Sequence, residues 1–286
     1  EFRRVLFRSM ALRINYNLAS SSAQRGLAAS QEVYAQQAEQ LSSGLRINRA
    51  SDDAAGMAVS EKLKNQVRGL NQAQRNAQDG ISLIQTAEGG MGEIHSLLAR
   101  MRELAVQAAN GTLGTTDLAN LNAEFTQLMT EITRVSNAVT FNGTYLLNNA
   151  STNVTLQLGA NSTAATNQLS FALTNNTAAG TGIALTSNDV TSAANALLAI
   201  TQLDTAITTV STNRANLGAL QSRLESASRS LAVAAENTAA ANSRVADADI
   251  ASSMSELVRA QILQQTGISV LAQANQAPAL VLQLLK

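Results

Sequence analysis

Apolar residues recur at three- and four-residue steps along most of the chain. From Leu12 to Leu45 the stretch is low in charge, with Leu27, Tyr34 and Leu41 seven apart and Ala38 and Leu45 filling the intervening turns. That spacing predicts an amphipathic helix. Gly44 stands where a C-terminal cap would sit, RINRASDDAAG (46 to 56) reads as a connector, and Ser51 offers an N-cap for the next helix. From about Ala54 to Asn110 the helical pattern resumes through Leu63, Val67, Leu70, Ile81, Ile84, Met91, Ile94, Leu98, Met101 and Ala105. Gly89 and Gly90 weaken one turn of it without ending it. NGTLGTT (110 to 116) is a turn, and Asp117 to Val139 is a shorter helix carrying Leu121, Phe125, Leu128 and Ile132 on one face.

The middle differs in kind. Thr140 to about Ser192 is made of Thr, Asn, Ser, Gly and Ala, with two alternating runs, Val154 to Leu158 and Gln168 to Leu173. They predict a single β-hairpin at about 150 to 175 beneath a loop-rich tip. Beyond it Leu203, Val210, Leu217, Leu224, Leu231 and Val245 share one seven-residue register, with Thr238 its only polar member. A strict heptad is a supercoiling seam, and at about 1.5 Å per residue this one spans roughly 60 Å. The expected fold is mainly α: a long antiparallel helical rod or coiled-coil bundle with one small β-hairpin region. Between Arg259 and Lys286 there is no charge, yet Leu, Val, Ile and Ala alternate helically with Gln, Ser and Asn.

Composition supports thin helix-on-helix packing. Of 286 residues 45% are hydrophobic but only 3% aromatic, so the apolar content is Ala, Leu, Val and Ile rather than the rings that fill a thick core. Basic and acidic residues balance at 20 each, which recommends neither nucleic acid nor an anionic membrane as partner. No cysteine is present, which removes disulfides, thiolate zinc sites and a Cys nucleophile together. His95 is the only histidine and lies at helical spacing from Met91, Leu98 and Met101. Asp52 and Asp53, beside Ser51, favour a helix N-terminus over a paired-carboxylate site. Gly89 and Gly90 lack the Lys-Ser/Thr of a phosphate loop. No catalytic residue, cofactor or metal site is expected, and the protein is read as no enzyme. The uncharged tail is interrupted by Gln264, Gln265, Thr266, Gln273, Asn275, Gln276 and Pro278, so no membrane span is expected. EFRRVLFRS (1 to 9) departs from the later pattern and reads as a non-native leader, the native chain starting at Met10 without a signal peptide.

Two weakly charged terminal helices with wide apolar faces cannot cover each other fully, and copies of the same chain could. Where the surface offered differs from the surface received, contact is head-to-tail and open-ended. LASSSAQRGLAASQEVYAQQAEQLSSGLRINRASDDAAGMAVSEKL (18 to 63), DGISLIQTAEGGMGEIHSLLARMRELAVQAANG (79 to 111) and RVADADIASSMSELVRAQILQQTGISVLAQANQAPALVLQLL (244 to 285) closely resemble bacterial flagellin. The resemblance implies a subunit that polymerises into the flagellar filament for motility, in a short form without large variable outer domains. Residues 11 to 54 with 246 to 286 would form an inner terminal-helix coiled-coil domain, and 55 to 245 an outer helical domain with the hairpin. The inner contacts would involve Leu27, Tyr34, Leu41, Leu45, Leu257, Ile262, Leu271, Leu282, Leu284 and Leu285.

The resemblance further implies unfolded export through a type III channel to the extracellular filament. Its partners would be many copies of itself, an export chaperone, the filament cap and hook-associated proteins. LLARMRELAVQAANG is similar to the segment that Toll-like receptor 5 reads, which places Arg100, Leu104 and Glu124 as one exposed recognition patch. Leu282, Leu284 and Leu285 match the leucines required by cytosolic flagellin sensors. Exposed Ser and Thr of the middle region would carry O-linked glycans. Two other readings compete: a hook-to-filament junction protein sharing the terminal-helix design, and an amphipathic lipid-binding helical protein, which would need polar faces rich in Lys and Arg instead of Gln, Ser and Asn.

Overall fold

A computed structural model describes residues 17–148, 153–180, 183–185 and 189–284, with 277–284 described at the backbone only. Among the described residues six helices and four strands follow one another: α1 (Leu18–Ser43), α2 (Ala54–Ala108), α3 (Thr115–Ala138), β1 (Thr140–Phe141), β2 (Thr144–Tyr145), β3 (Asn153–Gln157), α4 (Ala164–Asn167), β4 (Gln168–Ala172), α5 (Ala193–Ala246) and α6 (Ile250–Leu284). The long helices sit where the periodicity places them. Leu12 and the segment before Met10 lie outside the described residues.

Two compact units share the chain. One comprises the described residues up to Lys64 together with those from Ala239 onward, the other Asn65–Thr238. The division falls inside α2 and α5.

In the second unit α2 and α5 run antiparallel, since Glu88 pairs with Arg214 and, further along α2, Arg102 pairs with Asp204 earlier on α5. The heptad positions Leu203, Val210, Leu217, Leu224 and Leu231 are all buried. The first four meet the α2 stripe of Ile84, Met91, Ile94, Leu98 and Met101 in the same core, and α3 adds Phe125 and Ile132. β3 and β4 pair antiparallel with Val154 opposite Phe171 and Leu156 opposite Leu169. The alternation turns Leu169 and Phe171 into that core and leaves Gln168 and Ser170 outside. Gly90 makes the close approach of the segment after α3 possible. A Cβ there would lie 2.6 Å from Val139 and 2.8 Å from Leu147, so Gly90 is a docking notch in α2, while Gly89 beside it faces open space.

A second, shorter hairpin adds to the one that the sequence predicts: Thr140 pairs with Tyr145 and Phe141 with Thr144 around Asn142 and Gly143, both at positive φ. Two-residue strands show no alternation, so only the Asn-Gly turn signal could have found it. Beneath it a buried polar network closes the unit. Ser136 Oγ donates to the Asn176 carbonyl (2.7 Å), Asn176 N–H donates to the Leu147 carbonyl (2.7 Å), and Asn176 Nδ2 donates to Thr174 Oγ1 (2.8 Å). Asn176 is fully buried, and satisfying its donors locally is what makes that burial tolerable.

In the first unit, the helix ends are capped by local chemistry. Asn17 accepts from Ser20 N–H (3.0 Å), and Gly44, at φ 71°, closes α1 by donating to Gln40 (2.8 Å). The cap of α2 is Asp53, whose Oδ1 accepts from Gly56 N–H at 2.8 Å, not Ser51 as the sequence suggests. Asp52 instead folds the connector by accepting from the N–H groups of Asn48 and Arg49. The connector also serves the break between α5 and α6. Arg46 N–H donates to Ala246 O, Arg46 Nη2 donates to Val245 O, and Ala248 N–H donates to Gly44 O. A guanidinium on the last carbonyls of α5 is the favourable charge at a helix C-terminus.

Candidate assembly surface

α1 and α6 lie antiparallel along a narrow seam. Asn17 Nδ2 donates to Ala274 O (2.7 Å), Ser20 Oγ to Asn275 Oδ1 (2.8 Å), and Leu27 meets Gly267, where a Cβ would come within 3.4 Å of it. On α1 the half-buried positions include Ala23, Leu27, Ser30, Tyr34, Gln37 and Leu41; on α6 Leu257, Gln264, Gly267, Leu271 and Ala274 are half-buried and Ala260 is buried. These are three- and four-residue steps, the stripe of a two-helix coiled coil. The seam is thin: no residue of α1 is buried. Outside it α6 exposes Met254, Val258, Ile262, Leu263, Ile268 and Val270, with Ile262 at 56% and Ile268 at 57%. Such a concentration of exposed aliphatic side chains on one helix is the mark of an interaction surface.

The inner-contact residues therefore divide. Leu27, Tyr34, Leu41, Leu257 and Leu271 are half-buried along the α1–α6 pairing, and Leu45 is half-buried at an isolated bridge to Asp247. Ile262 lies outside the seam and faces solvent. Leu282 and Leu284 lie on the backbone-only end of α6, and Leu285 lies outside the described residues.

In the second unit, Arg100 on α2 reaches Glu124 on α3 through Nε at 3.0 Å and Nη2 at 2.9 Å, and Nη1 reaches Glu103 at 3.0 Å. The hydrogen bond to Glu124, then that to Glu103, raises the Arg100 guanidinium above its ordinary pKa. All three side chains are solvent-exposed. The expected third member of the patch is corrected: Leu104 is 1% exposed and belongs to the core with Met101, Ala105 and Phe125. Four residues turn a helix slightly more than once. Arg100 stays outside on its long stem, while Leu104 falls on the buried stripe. Arg102 and Asp204 form a separate exposed pair, with a 2.6 Å bond that holds the Asp204 carboxyl below its ordinary value.

Among the described residues no three His, Cys, Asp or Glu side chains gather in metal-binding geometry, and no helix is long and apolar enough to cross a membrane. His95 is half-buried on α2 with Nδ1 unpartnered.

Long helices with small hairpins, and a last helix that leaves a row of large hydrophobes about half exposed, define a helical structural protein with an uncovered apolar surface. Residues 14–152 match the family described as the bacterial flagellin N-terminal helical region, and residues 200–285 match the bacterial flagellin C-terminal helical region. The flagellin of Halalkalibacterium halodurans is 48% identical over 273 residues, covering 96% of this chain and 99% of that protein. The Bacillus subtilis flagellin is 42% identical over 307 residues, covering 96% of this chain and 100% of its own. Among solved structures, Bacillus cereus flagellin aligns over 55% of this chain and 88% of its own at 34% identity, with a TM-score of 0.49. The chain belongs to the bacterial flagellin family. It is a structural subunit of the bacterial flagellar filament, in a short form without a large outer domain.

Proposed function

We propose that polymerisation runs through α1 and α6, with Leu27, Tyr34, Leu41, Leu45, Leu257 and Leu271 holding the two helices together and Ile262 among the side chains that meet neighbouring copies. The observation that carries this is the row of exposed hydrophobes on α6 beside a seam too thin to cover them. Leu282, Leu284 and Leu285 are the positions a cytosolic flagellin sensor would read. Replacing Ile262 by Lys tests the reading. Electron microscopy and sedimentation of concentrated or salted-out protein should show loss of filaments, while circular dichroism reports unchanged helix content. Normal filaments would refute it.

The subunit is exported unfolded through a type III channel with a chaperone and is placed outside the cell beneath a filament cap, joined to hook-associated proteins. The absence of cysteine from the sequence, which leaves no disulfide to obstruct threading, supports this route. Toll-like receptor 5 reads the monomer at Arg100 and Glu124, and Leu104 supports that surface from beneath. The support is an exposed, preformed pair on adjacent helices. Substituting both Arg100 and Glu124 by Ala should weaken receptor signalling by monomer and leave filaments intact; signalling equal to wild type would remove the claim.

A further inference from the structure

The chain carries two Asn-Gly pairs in exposed turns of the second unit, Asn110-Gly111 and Asn142-Gly143, and the structure treats them differently. We propose that Asn110 is a site of spontaneous covalent modification, converting through a cyclic imide to aspartate and isoaspartate, and that the fold protects Asn142 from the same reaction.

The chemistry needs no added reagent but water. The Gly111 amide, deprotonated by hydroxide, attacks Cγ of Asn110. A C–N bond forms, the bond to the side-chain amide nitrogen breaks, and that nitrogen leaves as ammonia. Water then opens either C–N bond of the five-membered imide, giving aspartate when the side-chain carbonyl is hydrolysed and isoaspartate when the main-chain carbonyl is. Glycine is the favourable successor because it has no side chain to crowd its nitrogen during ring closure.

Ring closure requires the main chain and side chain of the asparagine to rotate together until the next amide nitrogen faces Cγ. The turn after α2 resists this weakly. Asn110, Gly111 and Thr112 are exposed. The closing bond from Leu113 N–H to the Asn110 carbonyl is 3.5 Å long, at the outer limit for such a contact. No hydrogen bond among the described residues engages the Asn110 side chain or the Gly111 amide. Gly111 has ordinary φ and open space around its Cα.

Asn142 is held from both sides. Phe141 pairs with Thr144 and Thr140 with Tyr145 across it, and Leu146 N–H donates to Val139 O at 3.1 Å just outside. Its φ of 46° and the 79° of Gly143 belong to that closed turn. The buried Leu146 and Leu147 anchor the strand end, so rotating Asn142 means unpairing the hairpin first. Conversion at Asn110 has a structural consequence, because it places a carboxylate at the C-terminal end of α2. The isoaspartyl form also lengthens the main chain between α2 and α3.

Peptide mapping by mass spectrometry, after timed incubation of the folded protein in warm, mildly alkaline buffer, tests the proposal by the mass gain of replacing NH2 with OH. The peptide holding Asn110 should convert about tenfold or more faster than the peptide holding Asn142, and its products should resolve into aspartyl and isoaspartyl forms. In denaturant the two rates should converge. G111A, for which the structure has room, should remove most conversion at Asn110 with helix content unchanged. Equal rates in the folded protein, faster conversion at Asn142, or a difference that persists in denaturant would overturn the proposal.

Discussion

The two units of this subunit solve the burial problem in opposite ways. In the second, Ile94, Leu98, Met101, Phe125 and Ile132 are buried completely, and even a polar residue, Asn176, is sealed in with its partners supplied. In the first, no residue of α1 is more than partly buried and α6 leaves large hydrophobes about half exposed along its described length. Hydrophobic free energy scales with area removed from water, so the second unit contains its own stabilisation while the first, under the assembly proposed above, leaves much of its share to contacts with other copies. The difference separates folding from assembly within one chain.

Core truncation should be the sharpest way to break the contrast. Leu104→Ala should cost the second unit about 2–5 kcal/mol, read as a lowered urea midpoint in monomer followed by circular dichroism. A loss no larger than that of a surface leucine would mean that the core is less closed than its burial indicates. The buried network is next: Asn176→Ala strands the Asn213 side chain and removes the Thr174 bonds, and should cost about 1–3 kcal/mol in the same assay. In the first unit the best single handle is the α2 cap. Asp53→Ala should cost about 1 kcal/mol, seen as faster amide exchange at Gly56 and Met57, with exchange at Ile94 and Leu98 unchanged.

Acid should have the smallest effect. The hydrogen bond from Arg102 lowers the Asp204 pKa below the ordinary 3.8. A depressed carboxylate stabilises the fold above its unfolded value and loses that contribution as pH falls through its folded one. Asp204→Asn should therefore flatten the acid side of the stability curve below about pH 4 and leave neutral behaviour unchanged within the small effect of an exposed pair. A substantial loss at neutral pH would show that the Arg102–Asp204 pair is structural.

Much of the second unit is legible in the sequence because its signals are local and repetitive. The heptad from Leu203 to Leu231 is a run of buried positions, and the alternation of Gln168 to Ala172 is its burial pattern. Where sequence and structure part, angle and partner decide. The resemblance puts Leu104 in an exposed patch with Arg100, although the stripe through Leu98 and Met101 takes it inward. Ser51 is a good capping residue by type, yet the chain reaches Gly56 from Asp53. The Thr140–Tyr145 hairpin leaves no periodic trace because two-residue strands have no period.

By itself, then, the sequence determined the helical periodicity, the main hairpin, the lack of cysteine for disulfides and the low charge of the terminal helices. These follow from side-chain type and spacing, which act over a few residues. Only the tertiary structure decided which apolar positions are spent inside one chain and which remain available. That choice depends on what stands opposite each residue: Leu271 and Ile262 are equally apolar in sequence, and the α1–α6 seam partly buries the first while leaving the second to solvent.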